Sequence, residues 1–359
     1  MKRLSSKELV PGMIAAEDVY NYTNQLIIPK GTVLNDKTIT KLEFYSILNV
    51  RVEDPAPELV STPAFTEDIS YSEKIKRSKD FLEFKDKFDS QIPKFQSFLD
   101  ASAIKDGPID CEGLLSFTDN LLHNESGFLS VFDMLHNMRE YDDMVYVHSI
   151  NVALMCNVFA KWLHMTEEET KLATLCGLLH DIGKTVVPKD ILHKNGRLSG
   201  SEYSVVKKHT IDGYNLLRRQ NIPEAVVNAA LMHHERCDGS GYPFGIKNGK
   251  IDTFAKMVAI VDVYDAMTSA RIYRGPMCPF KVVDIFESEG LQKYDTRFIM
   301  TFLENIVNTY MLNRVKLNDG RVGDVVFINR SRLSKPTIRC EGEFLDLSSR
   351  PDLTIEAII

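Results

Sequence analysis

The sequence predicts a mostly α protein: a long helical domain flanked by a small α+β module and a small β appendage. Three observations carry that expectation. From about Asp110 to Leu312, apolar residues return at helical spacing through one segment after another. Before Glu53 and after Arg314 the period shortens to that of strands, punctuated by glycine and proline. The composition, 44% hydrophobic and 26% charged over 359 residues, is that of an ordinary soluble chain with room for about two or three domains. The expected division is 1–53, 54–109, 110–312 and 313–359.

In the first module, Met13 to Val19 and Leu26 to Ile28 read as strands around a turn at Asn21 to Asn24. Asn35 can cap a helix running to about Ser46, with Ile39, Leu42 and Leu48 on one stripe, and Val50 to Val52 closes as a strand. Pro55, Pro57 and Pro63 mark residues 54–66 as a linker. In the charged segment Thr66 to Asp100, Phe81, Phe84 and Phe88 fall at i, i+3 and i+7. That stripe packs either on this chain's own core or on a partner, which leaves a homodimer open.

Helices are then expected over Cys111–Leu122, Phe128–Met138 and Val145–Leu163, and from Thr166, with Glu169 completing a capping box, to about His180. More follow at Ser201–Gln220, Pro223–His234, Thr253–Ala270, Pro279–Glu289 and Asp295–Tyr310. In the tail, Val315–Leu317 and Arg321–Ile328 form a hairpin around Asn318-Asp319-Gly320, and Phe344–Leu347 and Leu353–Ile358 are further strands.

The net charge is −7, from 43 basic and 50 acidic residues. No global basic field recruits a nucleic-acid polymer or acidic lipid, so an anionic ligand must be met by local charges or metals. Met1 to Glu8 has two basic residues near its start and no apolar run behind them, unlike a secretory signal. No apolar stretch approaches the roughly 20 residues of a membrane-spanning helix. The 6 cysteines are scattered without a CxxC pair and read as reduced thiols, so a cytoplasmic location is expected.

Chemistry concentrates in Leu178 to Val187, where His180 and Asp181 are adjacent and Lys184 follows. Metal-assisted phosphate chemistry needs such a set: ligands for the ion, a carboxylate able to bridge, and a cation for the phosphate. Around it stand His148, His209, His233, His234 and Asp262. With His180 and Asp181 these are nitrogen or hard oxygen donors, a set suited to Fe, Mn or Zn rather than a thiolate site. They are too many for one ion and suit two that share a carboxylate. Neighbours on a helix point about 100° apart, so His233 and His234 both serve only if ions lie on two sides. His123, His136, His164 and His193 read as ordinary core or surface histidines.

The loop His233-His234-Glu235-Arg236-Cys237-Asp238-Gly239-Ser240-Gly241-Tyr242-Pro243, with His180-Asp181-Ile182-Gly183-Lys184, closely resembles the HD-GYP family. These are HD-superfamily phosphodiesterases that hydrolyse cyclic di-GMP. The resemblance spans about Asp110 to Tyr310. It includes His148-Ser149-Ile150-Asn151-Val152, Lys208-His209 with Gly213, Asp262-Val263-Tyr264-Asp265-Ala266-Met267-Thr268-Ser269, and Arg271-Ile272-Tyr273-Arg274.

The resemblance implies a helical HD-superfamily catalytic domain with two divalent ions per chain, Fe or Mn being expected. His148, His180, Asp181 and Asp262 surround one ion. Asp181, His209, His233 and His234 surround the other, with Asp181 bridging. A metal-bound hydroxide opens cyclic di-GMP to linear pGpG and onward to GMP. Lys184 contacts the phosphate and assists the leaving oxygen, Arg271 and Arg274 grip phosphate oxygens, and Tyr242 shapes the loop over the site.

There are two departures. Where some HD-GYP proteins place a Glu for a third ion, this chain has Met144, so a two-metal site is expected. The usual Arg-Pro-Tyr-Arg is interrupted by Ile272, which keeps both arginines but loosens the turn. Cys237 reads as filling a tolerant slot, with a redox handle as the alternative. The competing functional reading is a slow or inactive module that binds a cyclic dinucleotide or senses redox state or oxygen through a di-iron centre. A third keeps the enzyme and changes the cyclic dinucleotide.

Overall fold

The structure, a computed structural model, describes residues 2–21, 26–45, 47, 49–53, 71–105, 107–122, 131–138, 145–194, 196–269 and 275–359. Expectations placed on the 54–66 linker, His123, Met144, Arg271, Ile272 and Arg274 fall outside the described residues. The chain forms two compact units, Met1–Lys74 with Tyr310–Ile359, and Ile75–Thr309. This grouping cuts across the four segments expected from composition. The two ends of the chain share one unit, and the Phe-bearing segment joins the helical one.

In the first unit, strand β1 (Lys2–Ser5) pairs antiparallel with β4 (Asn49–Val52), and β2 (Val19–Tyr20) with β3 (Leu26–Ile28). Helix α1 (Asp36–Phe44) starts at the expected cap: the Asn35 side chain accepts from the Thr38 N–H, and the Thr38 hydroxyl accepts from the Asn35 N–H. The strand expected from Met13 survives only as β2 and two isolated bridges at Ile14 and Ala15. Its backbone changes partner within one residue, Ala15 donating to Thr32 and Ala16 to Arg51, so no continuous ladder forms.

The tail supplies β5 (Arg314–Leu317), β6 (Val322–Phe327), β7 (Thr337–Cys340), β8 (Glu343–Asp346) and β9 (Ile355–Ile358) in one antiparallel sheet ordered β8-β7-β6-β5-β9. The hairpin turn is where the sequence placed it, and β7 is a strand that the sequence reading missed. Phe44 of α1 stacks on Phe327 of β6 with ring centroids 4.6 Å apart, which fastens the N-terminal helix to the C-terminal sheet.

The second unit is helical, as expected. After α2 (Tyr71–Arg77), α3 (Lys79–Lys105) carries the aromatic stripe. Phe81, Phe84, Phe88, Ile92, Phe95 and Leu99 are all buried, and α3 packs on α4 (Cys111–Leu122), on α6 (Val145–Trp162) and on the 3₁₀ turn Ile182–Val186. The stripe therefore belongs to this chain's own core and backs the turn that carries Lys184. Truncating Phe84 to alanine removes packing worth about 3–5 kcal/mol.

The helices α5 (Val131–Asn137), α7 (Glu167–Leu179), α8 (Lys189–Leu192), α9 (Gly200–Lys207), α10 (His209–Arg218), α11 (Glu224–Met232), α12 (Thr253–Thr268), α13 (Pro279–Ile285), α14 (Leu291–Lys293) and α15 (Thr296–Thr309) complete it. Thr166 and Glu169 form the expected capping box of α7. The single helix expected over Ser201–Gln220 is broken at Lys208. There the His209 ring and the Thr210 hydroxyl take the carbonyls of Val206 and Lys207.

The core is α6 packed on α7 and α12, with α11 against α7, α10 and α12. From Val147 to Ala160 nearly every α6 side chain is buried, the pattern of a helix surrounded on all sides. The five helices converge with their ligand-type residues at one end of this core. Among the described residues, no helix is long and apolar enough to cross a membrane.

Candidate metal centre

Helix ends place most of the expected ligands. His180 caps the C-terminus of α7, Asp181 follows it, and His233 caps α11 with His234 next in the chain. His209 opens α10 at the break after α9. The carbonyls in the last turn of a helix lack partners within the helix, so a nearby ring N–H can use them. His180 Nδ1 meets Gly177 O at 2.7 Å, His209 Nδ1 meets Val206 O at 2.6 Å, and His233 Nδ1 meets Ala229 O and Ala230 O at 3.0 and 3.1 Å. A carbonyl only accepts. Each of these Nδ1 atoms must carry the proton, and each neutral ring presents a lone pair at Nε2. The positive ends of these imidazoles are fixed outward, their donor atoms inward, by backbone geometry alone.

His148 and Asp262 differ, lying inside α6 and α12. With its helix carbonyls already used, His148 turns Nδ1 to a carboxylate, Asp265 Oδ2 at 2.7 Å, and its Nε2 lies 3.0 Å from Asp262 Oδ1. Burial opposes a charge on His148, but Asp262 and Asp265 override it and raise its pKa to about 10.

These side chains converge in two groups. One donor atom from each of His148, His180 and Asp262 lies within 4.8 Å of the others, and the same holds for Asp181, His209, His233 and His234. Asp181 looks both ways. Its Oδ2 is 3.2 Å from His180 Nε2 and 3.7 Å from His148 Nε2, whereas its Oδ1 is 3.3 Å from His209 Nε2 and 3.7 Å from His233 Nε2. Lys184 Nζ reaches Asp181 Oδ2 at 2.5 Å. Burial alone would raise the Asp181 carboxyl, yet His180 and Lys184 hold it well below the usual carboxylate range.

The donors fit a cation. His180 Nε2 and Asp181 Oδ1 are fully buried without a hydrogen-bond partner, an arrangement that costs about 1–3 kcal/mol per group. His209 Nε2 and His233 Nε2 face each other at 3.3 Å. Both Nδ1 protons are committed to carbonyls, so two lone pairs oppose each other unless a positive charge lies between them. A proton is a poor candidate, because burial depresses His209 to about 3 and also lowers His233. A divalent ion resolves both problems. All seven ligand-type residues singled out in the sequence are thus brought together.

The loop folds over this centre from Glu235. Its buried carboxylate accepts the N–H groups of Phe244 at 2.8 Å and Ile246 at 3.1 Å. Tyr242 N–H donates to His234 O, and the Tyr242 ring lies on the His234 ring with centroids 4.6 Å apart. Gly241 permits the return: a Cβ there would stand 2.4 Å from Arg236 N and 2.5 Å from the Glu235 Cα. Gly183 does the same for the turn after Asp181, where a Cβ would meet His209 O at 1.9 Å. Burial pushes the Cys237 thiol up, which makes it a poor redox handle.

The sequence reading assigned no role to Asp265, Glu235 or Asn151. Asn151 Nδ2 and Ser269 Oγ donate to Asp265 Oδ1 at 3.3 and 3.2 Å, holding it under His148. A signal was present: Asp262 and Asp265, like His148 and Asn151, are spaced i, i+3 and so share a helix face.

A family model for the HD domain matches residues 133–298. The match falls within the helical unit. Curated relatives agree with the resemblance to cyclic di-GMP phosphodiesterases read from the sequence. The chain is 35% identical over 208 residues to a cyclic di-GMP phosphodiesterase of Pseudomonas aeruginosa, covering 57% of this chain and 50% of that one. It is 35% identical over 183 residues to a cyclic di-GMP phosphodiesterase of Thermotoga maritima, covering 50% of each. A 3'3'-cGAMP-specific phosphodiesterase of Vibrio cholerae is 38% identical over 169 residues, 47% of this chain and 39% of that one. The chain therefore spans about half the length of the curated relatives it matches, or less.

Proposed function

We propose that this chain is a metal-dependent phosphodiesterase that hydrolyses cyclic di-GMP to linear pGpG, and onward to GMP, at a two-metal His/Asp centre. One observation carries the reading: the two oxygens of Asp181 face two different ligand groups, as a bridging carboxylate must. His148, His180 and Asp262 would hold one ion with Asp181, and His209, His233 and His234 the other. The nitrogen and hard oxygen donors suit Fe, Mn or Zn, and the resemblance read from the sequence favours Fe or Mn. Bound there, such ions supply acidified water and neutralise charge on a phosphodiester.

The remaining steps fall to the chain. Lys184, half released from the core and seated on Asp181 Oδ2, is placed to donate to a phosphate oxygen and to the departing oxygen. Arg271 and Arg274 are assigned to the phosphate by sequence resemblance alone. Tyr242 and its loop wall the site on the His234 side. The similarity to a 3'3'-cGAMP-specific enzyme supports a second reading in which the guanine–adenine dinucleotide is the substrate.

The test is turnover of both dinucleotides by anaerobically purified protein, with Fe and Mn counted per chain on the same sample. Two ions and linear product from cyclic di-GMP support the proposal. Faster hydrolysis of 3'3'-cGAMP selects the second reading. Two ions and bound nucleotide without turnover, even after reduction, would replace the enzyme with the sensing module.

A further inference from the structure

A cyclic dinucleotide has two phosphodiesters and two purines. If one phosphate sits on the metal centre, the other must be met elsewhere, and a chain of net charge −7 offers no general field for it. The lip of the site beside Tyr242 has a suitable cation. Lys207 is the last residue of α9, two before His209. Its Nζ stands 5.1 Å from the Tyr203 ring centroid and 5.7 Å from that of Tyr242. Tyr242 in turn covers His234, so Lys207 is one aromatic ring away from a metal-ligand side chain.

Two other cations of this region are engaged by carboxylates. Lys184 sits on Asp181, and Lys194 pairs with Glu202 at 2.7 Å. Lys207 has no carboxylate within ion-pair distance among the described residues. Tyr203 precedes it by one helical turn and leaves 48% of its surface exposed. The proximity of its hydroxyl is one of the influences that raise the Tyr242 hydroxyl, after burial. A half-buried ammonium between two tyrosine rings, with an open ring face next to it, is the pattern that reads a phosphate and a stacked base together.

We propose that Lys207 and Tyr203 form a second nucleotide subsite at the lip of the centre, Lys207 taking the phosphate that is not cut and Tyr203 stacking a purine. This rests on the cyclic-dinucleotide reading above. It assigns the two residues to substrate binding and not to the bond-breaking step.

The experiment compares Lys207→Met, which keeps the apolar stem over both rings, with Tyr203→Ala and Tyr203→Phe. For cyclic di-GMP, Lys207→Met and Tyr203→Ala raise KM about tenfold, with kcat and metal content as in the wild type, and Tyr203→Phe behaves as the wild type. The Lys207→Met difference shrinks near 1 M salt, where charges are screened beyond about 3 Å. Bis(p-nitrophenyl) phosphate, which has one phosphate and no purine, registers none of these changes. An unchanged KM for cyclic di-GMP in both truncations, or equal losses on the small diester, overturns the subsite. If the wild type holds metal without turnover, the hydrolase reading fails separately. The same tenfold losses are then sought in the Kd for cyclic di-GMP by calorimetry, and their absence overturns the subsite. A wild type that neither cuts nor binds cyclic di-GMP overturns both.

Discussion

Set side by side, His148 of the His148–His180–Asp262 group and His209 and His233 of the Asp181–His209–His233–His234 group use the same imidazole donors in opposite settings. His148 lies in the first turn of α6 and leans on two carboxylates, which raise it to about 10. His209 and His233 lie at helix ends and lean on neutral carbonyls, and burial drives both down, His209 to about 3. His148 accepts a proton when no ion is present, whereas His209 and His233 reject one and keep two lone pairs face to face at 3.3 Å. Position on the helix decides this. The C-terminal turn of a helix offers free carbonyls to a histidine, whereas in a first turn the helix uses its own carbonyls and the ring turns to a carboxylate of the neighbouring helix. The two halves should therefore fill and empty by different rules, joined through Asp181 and by the approach of His234 Nδ1 to Asp262 Oδ2 at 3.7 Å.

The largest effect comes from removing the joint. Asp181→Ala deletes the oxygen facing each group, so both proposed ions are expected to be lost and turnover to fall to background. His148→Ala or His209→Ala should each remove one ion and leave the other bound. Metal counting on folded variants checks this. An Asp181→Ala protein that keeps two ions would show that the halves are independent.

The helical domain and its ligand set were legible because their signals are dense. Apolar period alone defines α4, whose bounds Cys111–Leu122 match the expectation, and adjacent pairs such as His180-Asp181 are rare enough to mark a site. What escaped depends on partners distant in sequence. Asp265 matters through a ring 117 positions away, and Glu235 through two amides of its own loop. β7 is four residues whose strand character comes from pairing with β6 and β8. The Lys208 break arises from side chains that take backbone carbonyls inside a stretch of helical period. The shared unit of the two chain ends rests on contacts such as Phe44 on Phe327, which no local pattern contains.

A sharper cut through the comparison is Asp265→Asn. It leaves an acceptor for His148 Nδ1 and removes the charge. The affinity of the His148 half should fall about 10–100-fold, as for other carboxylates behind a ligating histidine. The His209 half touches no part of Asp265 and should keep its affinity. Stepwise metal titration of the metal-free protein resolves the two. Equal weakening of both steps would mean that Asp265 acts on the fold and not on His148.

The smallest expected effect uses pH to read each half in metal-free protein. His209 has a folded pKa near 3 against about 6.5 unfolded. Between those values the unfolded chain binds a proton that the folded one refuses, so stability declines as pH falls below about 6.5. For one such group the slope is about 1.4 kcal/mol per pH unit. His233 and His234 are shifted in the same direction by burial and add to it. His148 is shifted the other way. Below pH 6.5 it is protonated in both states and contributes no slope; its stabilisation is lost as pH rises from about 6.5 toward 10. Asp181 and Asp262 are held below the usual carboxylate range, so their share is lost only under about pH 3.9. Acid from pH 6.5 to 5 therefore probes the His209 half, and alkali probes the His148 half. Thermal unfolding across that range, repeated in His209→Asn, measures the first slope. Equal stability at pH 6.5 and 5 would mean that a proton already bridges His209 and His233, and the contrast between the two halves would disappear.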